Sequence, residues 1–175
     1  MGLHIVVDGY NLIRRSETLS PLDQQDLELG REGLLERLAA YKRVKGHAIT
    51  VVFDGTSQHS VFGRKDSHKG IEVKFSRHGE TADAVIKRIA RTEREKALVV
   101  SSDHEVADFS ASQGAAVIGA AEFEQRLDMA EYMEIKGADP DSDGEQGWVP
   151  DTRKKGPSKK PPKRKRKNRQ KIKKL

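Results

Sequence analysis

Five short apolar runs constrain this chain more than any other feature. Leu3 to Val7, Ala48 to Phe53, Ile71 to Phe75, Ala97 to Val100 and Ala115 to Ile118 each span only four to six residues. Such runs suit strands buried on both faces, with Ile71 to Phe75 the one that alternates. Helical signals lie between them. Ser20-Pro21 reads as an N-cap followed by an N1 proline, and Leu27, Leu34, Leu38 and Tyr41 share one helical face until Lys42 to Gly46 closes the segment. Thr81 caps a second helix running to about Arg94, a third follows Asp103 and ends at Gln113-Gly114, and a fourth covers Ala120 to about Met133. Short strands alternating with helices predict an α/β fold: a three-layer α/β/α domain over residues 1–135 with a central, mostly parallel sheet.

Parallel strands all end on one side of such a sheet, and ligands bind beyond those ends near the point where strand order reverses. Asp8 follows the first run, Asp54 the second and Asp103 the fourth. Asp83 falls in the first turn of the helix after the third, with Glu80 just before it, and the helical wheel puts Asp83 at the edge of the arc formed by Val85, Ile86 and Ile89. Each acid alone reads better as a turn residue or helix cap than as a ligand. Four on one rim point instead to a metal site. Crowded carboxylates raise one another's pKa, a divalent cation relieves the repulsion, and an oxygen-only ligand set favours Mg²⁺ or Mn²⁺ over zinc. The chemistry that fits is hydrolysis of a phosphate ester by metal-activated water. A phosphatase with a nucleophilic aspartate needs a second acid two residues later, and Tyr10 occupies that position. No organic cofactor motif competes.

Charge divides the chain sharply. Residues 153–175 hold 14 of the 33 Lys and Arg and no acid, so residues 1–152 carry 19 basic residues against 27 acidic ones, a net of −8. From residue 137 onward apolar periodicity is lost. Residues 136–152 read as an acidic, polar linker and 153–175 as a disordered basic tail, with Trp148 packing locally. Cationic tails meet polyanions, so Lys163, Arg164, Lys165, Arg166 and Lys167 are expected to contact a polyanion. Arg64, Lys65, Lys69, Arg77 and Lys87 are the expected contacts on the acidic body, with His68 and His78 as weaker ones. The chain has no cysteine and no apolar stretch long enough to span a membrane, and a soluble, cytoplasmic protein is expected.

The segments VVDGYNLI (Val6 to Ile13), VVFDG (Val51 to Gly55), FSRHGETADAVIKR (Phe75 to Arg88) and VVSSD (Val99 to Asp103) resemble, in order and spacing, the NYN domains, in particular the YacP-like branch within the PIN-like nuclease superfamily. The resemblance covers residues 1–135 and leaves the tail outside. It implies a PIN-like fold and Mg²⁺- or Mn²⁺-dependent cleavage of RNA at a carboxylate cluster, and with it the basic tail reads as an anchor directed to RNA or a ribosome. Asp8, Asp83 and Asp103 correspond to the metal-binding acids, and Asp54 and Glu80 complete or surround them. Asn11 is expected to bond to substrate or orient a metal ligand, and Ser101 to bond to an acid or a metal-bound water. Only one acid directly follows VVSS, where relatives often show two, which makes Glu105 and Asp108 reserves. Two other readings stay open: an RNA- or ribosome-binding module that does not cut, and a nuclease acting on DNA.

Overall fold

The structure is a computed structural model and describes residues 2–55, 67–137 and 162–175. Six strands form one sheet in the order β3-β4-β2-β1-β5-β6: β1 (His4–Asp8), β2 (Ala48–Phe53), β3 (Ser67–His68), β4 (Ile71–Phe75), β5 (Ala97–Val100) and β6 (Ala116–Ile118). All neighbours are parallel except the two-residue β3. The chain builds outward from β1 through β2 to β4, then crosses to β5 and β6, so strand order reverses between β1 and β5. The α/β sandwich expected from the sequence is present.

Alternation along the strands sorts the core into two layers. Ile5, Val7, Ile49, Val51, Phe53, Leu98 and Val100 face one side, where they pack with α1 (Gly9–Arg15), α3 (Leu27–Lys45) and α6 (Ala120–Lys136). Val6, Val52 and Val99 face the other, against Val85, Ile86 and Ala90 of α4 (Ala82–Glu93) and Val106 of α5 (His104–Ser112). Both faces of each central strand are covered, which is why these strands read as nearly continuous apolar runs.

Several expectations change in detail. The helix expected from Ser20 onward is two helices, α2 (Ser20–Gln25) and α3, because Asp26 leaves helical geometry and caps Glu28 N–H at 2.7 Å. Helix α1 has no counterpart among the expected elements. The segment read as a disordered tail is partly ordered: α7 (Lys163–Ile172) packs along the edge strand β6. Trp148, Arg64, Lys65, the linker beyond Gly137 and the tail up to residue 161 lie outside the described residues. Among the described residues no helix is long and apolar enough to cross a membrane.

Close packing explains the glycine after each of the first two strand-end aspartates. A Cβ on Gly9 would sit 2.3 Å from the ring of Phe53, and one on Gly55 would sit 2.1 Å from the carbonyl oxygen of Ser76. Phe53 is fully buried, with Tyr10 edge-on at 5.2 Å and Phe75 stacked at 5.7 Å between centroids, so its ring has little room to give way. Gly9→Ala is therefore expected to destabilise the fold by about 1–3 kcal/mol, the usual range for overpacking. The midpoint of urea unfolding measures this, and an unchanged midpoint would contradict the packing argument.

Candidate active site

Asp8 ends β1 and begins α1. Its Oδ1 accepts the Asn11 backbone N–H at 3.4 Å as the helix N-cap, and its Oδ2 accepts the Ser101 hydroxyl at 3.2 Å. Ser101 in turn accepts the Asp103 N–H at 3.1 Å, and Asp103 caps α5 by accepting Val106 N–H at 3.1 Å. Asn11 closes the frame, because its amide oxygen accepts Ser102 N–H at 2.9 Å. The turns after β1 and β5 are thus tied together at the point where strand order reverses. Ser101 meets the expectation of bonding to an acid, and Asn11 positions the loop that carries Asp103.

Asp83 stands in the first turn of α4, behind the Thr81 cap, and Asp54 follows β2 and accepts the Ser76 hydroxyl at 3.2 Å. Asp8, Asn11, Asp54, Asp83 and Asp103 all line one cleft of about 630 Å³. Burial, then the charge of Asp83, push the pKa of Asp8 up to about 6, while burial and the charge of Asp103 raise that of Asp83. The N-termini of α4 and α5 carry Asp83 and Asp103 at this rim and place positive dipole ends there.

The structure does not bring every expected residue to this cleft. Glu80 is paired with Arg88, which lowers its pKa, and it lines an adjoining cleft with Arg77 and His78. Lys69 lies at the turn before β4, at the opposite end of the sheet, and pairs with Glu36 at 2.6 Å, as His68 does at 2.8 Å. Lys87 bridges α4 to Glu105 of α5. Lys163 to Lys167 belong to α7, away from the cleft, and Lys167 is paired with Glu95 at 2.8 Å.

The cleft also holds residues that the sequence pattern did not single out. Arg14 and Arg15, on the last turn of α1, line it together with Tyr10. Arg14 lies over the Tyr10 ring, 5.4 Å from its centroid, and neither arginine makes an ion pair among the described residues. The buried hydroxyl of Tyr10 has no hydrogen-bond partner among them. Their signal was the i, i+3 and i+4 spacing after Asp8 and Asn11, which matters only once 9–15 is known to be helical.

The profile of the YacP-like NYN domain matches residues 5–174. The chain belongs to the YacP-like NYN domain family. The family match extends through α7, further than the motifs alone indicated. The NYN chain is 35% identical over 89 residues to the uncharacterized protein YacP of Bacillus subtilis (strain 168), an alignment covering 50% of this chain and 51% of that protein. The alignment thus spans about half the length of that relative. Two crystal structures are similar. Rae1 (YacP) from Bacillus subtilis superposes with a TM-score of 0.65 at 30% identity, covering 78% of this chain and 79% of that one. A point mutant of the same protein gives 0.62 at 28%, covering 74% and 77%. The NYN domain is a PIN-like nuclease fold, and the sheet and helices follow it.

The donors at the rim suit a hard cation. All are carboxylate or amide oxygens, and the raised pKa of Asp8 marks a place where negative charge lacks compensation. Among the described residues, no three His, Cys, Asp or Glu side chains stand close enough together to hold an ion as they are. The fit lies in the donor chemistry and the shared cleft.

Proposed function

We propose that this NYN domain is a Mg²⁺- or Mn²⁺-dependent endoribonuclease that hydrolyses phosphodiester bonds of RNA at the carboxylate cleft. The observation that carries the reading is the gathering of Asp8, Asp83 and Asp103 in one cleft at the strand-order reversal, with Asp8 held by Ser101 and the α1 backbone. Membership of a PIN-like nuclease family supports it. A bound divalent ion would supply an activated water and offset charge developing on the phosphate. Asp8, Asp83 and Asp103 would hold it, with Asp54 beside them.

The chain's own residues do the rest. Ser101 and the Asn11 N–H fix both oxygens of Asp8, and the Asn11 amide holds the Asp103 loop at the same rim. Arg14 and Arg15 line the same cleft as the acids, and a phosphodiester bound there would meet their guanidinium donors as well as the carboxylate rim. Arg77, in the adjoining cleft, would contact the RNA beyond the scissile bond.

Two measurements test these roles. Titration of Mn²⁺ should saturate in the wild type and weaken at least about tenfold in Asp83→Asn. Identical titrations would remove the metal from this site. Replacing Arg14 or Arg15 by Ala should raise KM for RNA by about tenfold, equivalent to one charge-assisted contact, with a smaller change in kcat. An unchanged KM in both would take the arginines out of substrate binding.

A further inference from the structure

Seven of the ten residues of α7 are cationic and none is acidic. Such a helix is unstable alone, because it is short and like charges stand one turn apart. It is held by one narrow face. The Asn168 side chain accepts Val117 N–H at 2.8 Å and donates to Val117 O at 3.2 Å, pairing with the edge strand β6 as a further strand would. Lys171 donates to the Glu95 carbonyl, and Ile172 and Leu175 pack against the core. Tyr41 donates to Leu175 O at 3.1 Å. These residues recur at i, i+3, i+4 and i+7, and they fix the orientation of everything opposite them.

On the outward side, about 180° round the helix from Asn168, stand Arg166, Gln170 and Lys173, with Lys163 and Arg169 at the margins, where they also line the groove beside Glu95 and Val117; all are exposed and none is in an ion pair among the described residues. The stripe is about 15 Å long at 1.5 Å per residue. Glu95 lies just before β5, and His47, which contacts Lys174 O at 3.0 Å, just before β2, so α7 sits toward the start of the strands and the carboxylate cleft at their ends.

We infer that the outward face of α7 is a second RNA-binding surface, a fixed platform for the phosphate backbone at the opposite end of the sheet from the cleft. A linear row of unpaired cations on an acidic body matches a linear polyanion. The face has no apolar residue to enter a lipid layer. Phosphates placed along it would relieve the repulsion within α7, so RNA and the docked helix stabilise each other. The inference rests on the proposed function only in taking RNA as the polyanion.

The test uses the full chain and a fluorescein-labelled, mixed-sequence RNA of about 20 nucleotides, in EDTA so that no cleavage is needed. The triple variant Arg166→Gln, Arg169→Gln, Lys173→Gln should lose about tenfold or more in affinity. Its log K against log salt slope should fall by about 2, the release expected for three phosphates of a single strand. A second variant, Asn168→Ala with Ile172→Ala, keeps every cation but loosens the docking. It should lose hydrogen-exchange protection over residues 163–172 and lose affinity with it. Unchanged affinity and slope in the triple variant would overturn the surface. Full affinity in the second, with protection gone, would overturn the platform in favour of charge alone. Loss of affinity in the triple variant, alongside a wild type that never cuts RNA, would keep this surface and discard the nuclease reading.

Discussion

Asp8→Asn is expected to lower the rate of RNA cleavage at saturating substrate by roughly three orders of magnitude while leaving RNA affinity within a few-fold of wild type. The substitution removes the charge from the carboxylate at the centre of the rim. It leaves the surroundings in place, because an asparagine oxygen still accepts the Asn11 N–H or the Ser101 hydroxyl. An effect on kcat without one on binding is the signature of a group that acts on the reacting phosphate. Asp103→Asn should behave alike, since it too keeps its helix cap. Single-turnover cleavage of a labelled RNA, with affinity measured separately, checks both. A variant that cuts within tenfold of wild type would remove Asp8 from the reaction.

The same substitution is expected to make the metal-free protein more stable at neutral pH. Burial and the neighbouring Asp83 raise the Asp8 pKa from 3.8 to about 6. Between those values the unfolded chain has already lost a proton that the folded chain keeps. Stability therefore falls as pH rises through that window and is level above it. The full shift corresponds to about 3 kcal/mol at pH 7, and Asp8→Asn should recover about 1–2 kcal/mol of it after imperfect replacement of the hydrogen bonds. Urea unfolding in EDTA at pH 7 should show the variant ahead, and the gap should close near pH 4. A variant no more stable than wild type at pH 7 would show that this carboxylate is not held at an electrostatic disadvantage. Adding Mn²⁺ should reverse the order, because only the wild type gains full binding energy from the ion.

The central strands were legible because they are buried on both faces and must be nearly continuous in apolar residues, and β4 because it alternates. Their ends were legible because parallel strands carry their loops to one side, so Asp8, Asp54 and Asp103 share a rim whatever their separation in sequence. Asp83 followed from its place in the first turn after the Thr81 cap. What the pattern hides is local and short. Helix α1 has seven residues, too few for a periodic signal, and its cap is the same Asp8 that reads as a site residue. Without that helix, nothing in the sequence put Arg14 and Arg15 in the same cleft as the acids. Glu80 is adjacent in sequence to the cluster yet turns to Arg88, two helical turns on. Lys69 shows that charge alone does not tell which end of a sheet a residue occupies. Composition concealed α7, whose docking signal is just Asn168, Lys171, Ile172 and Leu175 at helical spacing within a segment dominated by lysine, arginine and proline.

Metal-dependent RNA cleavage at the rim of the sheet can be tested directly by one assay. Purified protein is incubated with an end-labelled RNA of mixed sequence in Mg²⁺, in Mn²⁺ and in EDTA, beside Asp8→Asn and Asp103→Asn, and again with translating ribosomes present. Internal cuts that require the divalent ion and vanish in both variants are the expected result. RNA that is bound but never cut under any of these conditions, or cuts that persist in EDTA or in the variants, would contradict it.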